Sequence, residues 1–154
     1  MERSWKSVEE LLGPRRGIVF SVPAEATVHA ALEMLAEKDV GVLVVQAGDK
    51  PVGIFSERDL ARKVELHGRT ARDTRVHEVM TPEVLYVTPA HTIDRCMLLM
   101  KKDRVRHLVV VEDGRVVGVV SARDILEDAV VEEEERIREL ETDRLVMTTY
   151  TGAY

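Results

Sequence analysis

Two short stretches of the chain place a hydroxyl, a guanidinium and a carboxylate in the same order. Gly118-Val119-Val120-Ser121-Ala122-Arg123-Asp124 ends an aliphatic run in Ser-x-Arg-Asp, and Gly53-Ile54-Phe55-Ser56-Glu57-Arg58-Asp59 does the same earlier. If a strand gives way to a helix at each serine, Ser56 and Ser121 can act as N-caps, and Ser-x-x-Asp is then a helix start and nothing more. The same geometry suits a sugar phosphate. First-turn amides and the positive helix end attract a phosphate, and the serine hydroxyl adds a donor. Asp59 or Asp124, one turn on, can accept hydrogen bonds from both ribose hydroxyls. Aspartate is also short for the reach back to the cap amide, where glutamate is usual in a capping box. Arg58 and Arg123 add either a bidentate phosphate contact or a surface ion pair worth ~0 to 1 kcal/mol. Gly53 and Gly118 are read as freeing the backbone ahead of each motif.

Arg106-His107 interrupts the otherwise aliphatic strand Val105 to Val111. Two polar residues there fit a strand edge facing a cleft better than a core. The equivalent positions of the earlier copy are Gly41-Val42, so the two copies differ chemically.

The elements that must position these groups follow from periodicity. Trp5, Val8, Leu11 and Leu12 lie at near-helical spacing, which predicts a helix over Ser4 to Leu12 with a capping box at Ser7-Val8-Glu9-Glu10, stopped by Gly13-Pro14. Gly17 to Val22 reads as a strand. Val28, Ala31, Leu32 and Leu35 make one helical face, capped by Thr27. Val40 to Val45 and Val52 to Phe55 flank a turn at Ala47-Gly48-Asp49-Lys50, and a helix from Glu57 to Leu66 closes the unit. The arginine-rich segment 69–75 reads as a linker.

The order then recurs: a short helix at Val76 to Met80, a strand at Val84 to Val87, and the helical stripe Ile93, Cys96, Met97 and Met100. A hairpin follows about Asp113-Gly114, and then a helix lined by Ile125, Leu126, Ala129 and Val130. Laying residues 27–60 on 92–125 gives ten identities in 34 positions, among them the Gly, Ser, Arg and Asp of the paired motif. An extra residue near Ala26 is needed to align the stretch before it. Two such repeats predict a pseudo-twofold pair packed sheet to sheet. The tail departs from the repeat. Glu132 to Glu135 with Ile137 and Leu140 reads as a solvated helical face or as a helix contacting a second subunit or a partner, whereas 148–154 carries no helical pattern and is expected to be irregular.

Composition narrows the classes. The 154 residues are 45% hydrophobic but only 4% aromatic, so the packing is aliphatic, and the formal net charge of -6 makes nucleic acid an unlikely partner. The single cysteine, Cys96, excludes an intrachain disulfide and any multi-cysteine zinc site. No apolar run spans a bilayer and the first residues lack a signal-peptide core, so a cytoplasmic protein is expected. His29, His67, His77, His91 and His107 show no metal-ligand spacing, and no Ser-His-Asp, Cys-His or clustered-carboxylate arrangement is present. An enzyme is not expected.

Val79-Met80-Thr81-Pro82, Thr88-Pro89-Ala90-His91-Thr92-Ile93, Val105 to Val111 and the Gly118 to Asp124 motif together resemble a tandem pair of CBS (cystathionine beta-synthase type) domains, a Bateman module. The resemblance covers about residues 8–130. It implies an α+β fold of two units, each a small three-stranded sheet with two helices, packed with pseudo-twofold symmetry around two clefts, with a C-terminal helical extension. The division implied is a first unit over 1–68 with the N-terminal helix, a linker over 69–75, a second unit over 76–131, and the extension over 132–154.

The resemblance further implies a regulatory module that binds adenine nucleotides (AMP, ADP or ATP), is homodimeric, and signals to a separate effector protein. The alternative is an interaction module with no nucleotide role, assembling through its CBS faces and the C-terminal helix. By position, the resemblance places Ser56 and Asp59 in one cleft and Ser121 and Asp124 in the other, as phosphate or ribose contacts. Arg58, Arg123, Arg106 and His107 are then the phosphate-side groups. Ile18-Val19 and Val84-Leu85 meet the base, and small Ala31 and Cys96 leave room beside it. Glu57 sets an acid beside one cleft where the other has Ala122, so the Ser121–Asp124 copy is expected to be the better site.

Overall fold

The structure, a computed structural model, describes residues 5–151, with side chains through 144. Its helices are α1 (Val8–Leu12), α2 (Val28–Lys38), α3 (Glu57–Asp59), α4 (Val76–Val79), α5 (Ile93–Asp103) and α6 (Ala122–Thr151). Its strands are β1 (Ser21–Pro23), β2 (Val42–Ala47), β3 (Lys50–Ser56), β4 (Tyr86–Val87), β5 (His107–Glu112) and β6 (Arg115–Ser121). They form two three-stranded sheets, β1-β2-β3 and β4-β5-β6, each with one parallel and one antiparallel pairing.

The two halves match in detail. Ser21 pairs with Val44 as Tyr86 pairs with Val109, and the register shift at Val45/Gln46 recurs at Val110/Val111. Thr27 accepts a hydrogen bond from the Ala30 amide at 3.1 Å, as the sequence predicts for the α2 cap. Helices α2 and α5 both stop at left-handed residues, Asp39 and Arg104. The Asp113-Gly114 turn has positive φ at both residues, the backbone that a tight hairpin with this dipeptide adopts.

The two leading helices are exchanged between the cores. Val8 and Leu12 of α1 are buried with Val87, Ile93, Cys96, Leu108 and Val120 of the second unit. Val76 and Val79 of α4 are buried with Val22, Val28, Leu43 and Phe55 of the first. Backbone bonds fasten both crossings: Val8 N to His91 O and Ile93 N to Lys6 O on one side, Val76 N to Ala26 O and Val28 N to Thr74 O on the other.

Several boundaries differ from the sequence expectation. Helix α1 begins at Val8, because Lys6 and Ser7 are extended against Thr92 and Ser7 caps the Glu10 amide; Ser4 lies outside the described residues. The strand expected from Gly17 is confined to β1, because Gly17 has φ +83 and Ile18 N turns back to Arg15 O. The extra residue sought near Ala26 is absent: Thr27 and Thr92 start equivalent helices after equally spaced strands. The length difference lies in the 3-10 turn Gly13–Arg15 between α1 and β1. The closing helix of the first unit leaves α geometry after Asp59 and winds as a π-helix over Leu60–Glu65, with Leu66 N bonding Ala61 O. The tail is not irregular from 148 but remains helical to Thr151, since the first helix breaker in that sequence is Gly152; residues 152–154 lie outside the described part. Among the described residues no helix is long and apolar enough to cross a membrane.

Candidate functional site

Both Ser-x-x-Asp motifs start helices, and both aspartates do reach back to the cap. Ser56 N donates to Asp59 Oδ2 and Ser121 N donates to Asp124 Oδ2, each at 2.9 Å. The expectation that aspartate is too short for this is therefore wrong; a first-turn carboxylate at N3 closes the ring without the extra methylene. One oxygen of each carboxylate is spent on the cap. The other, Oδ1, is what distinguishes the copies.

In the first copy Asp59 is buried and its Oδ1 lies 3.0 Å from Lys63 Nζ. Lys63 also donates to the carbonyls of Val79 and Met80, at 3.0 and 3.4 Å, and so ties α3 and its π-helical continuation to the end of α4. The Ser56 hydroxyl turns inward toward Asp59 Oδ2 at 3.3 Å. This copy is closed upon itself. In the second copy Asp124 Oδ1 lies 3.3 Å from Arg15 Nη1, a side chain that is itself half exposed. Ser121 Oγ accepts from the Asp124 amide at 3.0 Å, which leaves its proton to donate outward.

The second copy opens on a cleft of about 910 Å³. Its floor and one wall come from the second unit: Arg106 and His107 at the start of β5, Gly118 and Val119 in β6, and Ser121 to Asp124 with Leu126 and Glu127 from α6. The facing wall is Ile18, Val19 and Phe20 before β1, and Asp39 to Val42 between α2 and β2. Arg15 and Leu12 complete the rim. Of the residues singled out from sequence, the fold thus brings together Ile18, Val19, Arg106, His107, Ser121, Arg123 and Asp124. Ser56, Arg58, Asp59, Val84 and Leu85 do not line this cleft. Ala31 and Cys96 are fully buried in the two hydrophobic cores rather than beside the cleft, because each sits on the inward stripe of its helix.

The cleft mixes the cations Arg15, Arg106 and Arg123 with the acids Asp39, Asp124 and Glu127. Burial lowers the His107 pKa from its usual range; Asp124 and Asp59 oppose that shift, and Arg106 and Arg58 add to it. Arg123 reaches along α6 to Glu127, with Nε 3.0 Å from Oε1, and not to the neighbouring aspartate. Cys96 is no nucleophile: burial, with Asp94 adding to it, pushes the thiol up to about 11. Among the described residues no group of His, Cys, Asp or Glu is placed to hold a metal ion.

The motif glycines have a role the sequence did not suggest. Neither has positive φ. A Cβ on Gly118 would stand 2.9 Å from both Leu12 methyls, and one on Gly53 would stand 2.7 Å from Met80 Sδ and from the Thr81 carbonyl oxygen. They make room for the exchanged segments, α1 and the residues after α4.

Sequence reasoning missed Arg15 and Asp39 as rim residues. The only local signal for Arg15 is its place in Gly13-Pro14-Arg15-Arg16, a proline-bearing turn that must re-aim the chain after α1.

The family model for the CBS domain matches residues 8–66 and 76–136. The chain belongs to the CBS domain family. The CBS domain-containing protein CBSX3, mitochondrial, of Arabidopsis thaliana is 36% identical over 119 residues, covering 74% of this chain and 58% of that protein. The chain thus spans less than two thirds of that curated relative. A solved CBS-domain protein from Burkholderia ambifaria MC40-6 is 37% identical, with a TM-score of 0.78 over 82% of this chain and 95% of that one. The hexameric CBS-CP12 protein of bloom-forming cyanobacteria shares the fold at 24% identity, with a TM-score of 0.72 over 90% of this chain and 89% of that one. In this CBS pair the two sheets, their helices and the long C-terminal helix are those of the family fold.

Proposed function

We propose that this CBS pair is a regulatory module that binds an adenine nucleotide (AMP, ADP or ATP) in the cleft at the start of α6. In this reading it acts as a homodimer and signals to a separate effector protein. The observation that carries the reading is the open Ser121–Asp124 helix start facing Ile18-Val19 across the cleft. A free hydroxyl donor and a carboxylate oxygen suit a ribose and its phosphate. Arg106, Arg123, Arg15 and His107 supply the phosphate side, and the apolar strand segment supplies a surface for a base. A volume of about 910 Å³ is in the range of small-molecule and cofactor sites. The first copy, with Asp59 closed by Lys63, is the weaker or empty site. No catalytic step is assigned to either copy.

A thermal-shift panel of AMP, ADP, ATP, S-adenosylmethionine and NAD tests the reading. A nucleotide at ~100-fold over its Kd contributes about 2.7 kcal/mol of stability, a readily seen shift. The absence of a shift with every adenine nucleotide at millimolar concentration overturns it in favour of an interaction module without a ligand.

A further inference from the structure

Two ion pairs lie within the lining of the cleft. Arg15 is 3.3 Å from Asp124, and Arg123 is 3.0 Å from Glu127. Each pair carries its own counter-charge, so neither adds net positive charge to the site. His107 adds none near neutral pH, since burial lowers its pKa from the usual 6.5. Among the described residues, Arg106 and Asp39 are the charged members of the lining whose side chains no hydrogen bond or ion pair holds. Arg106 stands beside the Ser121 helix start, where its carbonyl accepts from the Ala122 amide at 2.9 Å. Asp39 stands on the facing wall, between the end of α2 and β2.

The fold gives no reason for an acid at Asp39. Its backbone is left-handed, φ 52 and ψ 50, a conformation that glycine or asparagine adopts most readily. A carboxylate there also meets the negative end of the α2 dipole, where a cation is favoured. The second unit shows that choice: the equivalent residue at the end of α5 is Arg104, with φ 53 and ψ 42. Only the backbone of Asp39 serves the cap, its amide donating to Ala36 O at 3.4 Å. The carboxylate is therefore accounted for by the cleft that it lines.

A single phosphate carries a charge of about -1.5 to -2 near pH 7, and each further phosphate of a nucleotide adds to it. One free guanidinium suits the first phosphate. The next ones find no further free cation in the lining. They share the cleft with an unpaired carboxylate, whose repulsion grows with their charge.

We infer that Asp39 is a specificity-determining residue that reserves the cleft for a nucleoside monophosphate and disfavours di- and triphosphates. The inference rests on the nucleotide reading proposed above and adds the phosphate count to it.

Isothermal titration of the full-length chain with AMP and with ATP, in magnesium-free buffer containing a chelator, tests it. The parent is expected to bind AMP about 10-fold or more tighter than ATP. Asp39→Asn keeps the shape and suits the left-handed backbone, so its melting temperature should not fall. Its ATP affinity should rise about 5- to 10-fold while its AMP affinity changes by less than about 3-fold. Asp39→Gly, which suits the same backbone, should move the ratio equally, which separates charge from shape. Magnesium, by neutralising part of the triphosphate, should narrow the gap between AMP and ATP in the parent. A parent that binds ATP as tightly as AMP without magnesium overturns the inference and leaves the nucleotide reading intact. So does an AMP-to-ATP ratio that neither variant moves by more than about 2-fold. A parent that binds neither nucleotide overturns both.

Discussion

Arg15, in the turn after α1, lies 3.3 Å from Asp124, in the first turn of α6, so the rim of the candidate cleft is closed by residues from opposite ends of the chain. The guanidinium holds the carboxylate oxygen that the proposed ribose would take.

Asp124→Ala is expected to weaken adenine-nucleotide binding by about 10- to 100-fold, the loss of hydrogen bonds to a charged acceptor. Asp59→Ala should leave binding within about 3-fold, since that carboxylate is already paired with Lys63. Isothermal titration of both variants reads the difference; the reverse ranking assigns the site to the first copy.

Arg15→Ala separates ribose from phosphate. Freeing Asp124 should tighten binding of uncharged adenosine, while loss of the cation should weaken ATP. The ATP-to-adenosine affinity ratio is expected to fall about 10-fold or more, as measured by competition against a fluorescent nucleotide.

His107 gives a pH signature. Its folded pKa is lowered by burial, so as pH falls through the ordinary histidine value of about 6.5 the unfolded chain takes up a proton that the folded chain refuses. The contribution is present above that value and is lost as pH falls from it toward the depressed folded pKa. His107→Gln should make the melting temperature fall less than the parent's between about pH 7.5 and 5.5. An equal fall in both proteins rejects this account.

The motif glycines predict a hierarchy of stability. Gly53→Ala meets the Thr81 carbonyl, which is fixed by its exchange of backbone hydrogen bonds with Ile54, so a cost of ~1 to 3 kcal/mol is expected. Gly118→Ala meets only the movable methyls of Leu12 and should cost less, with part of the loss recovered in Gly118→Ala/Leu12→Ala relative to additivity. Urea unfolding of the parent, Gly53→Ala, Gly118→Ala, Leu12→Ala and the double variant decides it.

Local periodicity carried most of the fold. The stripes of α2 and α5, the Thr27 cap and both hairpins were legible because each depends on residues close in sequence. What could not be read was set by contacts far along the chain. Nothing within residues 8–12 says that α1 is buried against the second sheet rather than the adjacent first one. For the same reason the motif glycines were read as freeing the backbone when they are clearance for Leu12 and Met80. Arg106, His107, Ser121 and Asp124 were legible because polar groups broke an aliphatic strand or marked its end. Arg15 joins them only through the exchange of α1. Ala31 and Cys96 were misplaced because a small residue on a helical stripe leaves room equally well for a ligand or for a packed sheet, and here the sheet takes it.

The exchange of α1 and α4 also orders events during synthesis. The first sheet cannot complete its core until Val76 and Val79 have been made, and α1, made before α4, has no core to join until β5 and β6 follow. Neither half of the chain is a unit that a ribosome could finish and release to fold ahead of the other. The two CBS repeats, separable as sequence, mature together as one late-closing knot of contacts.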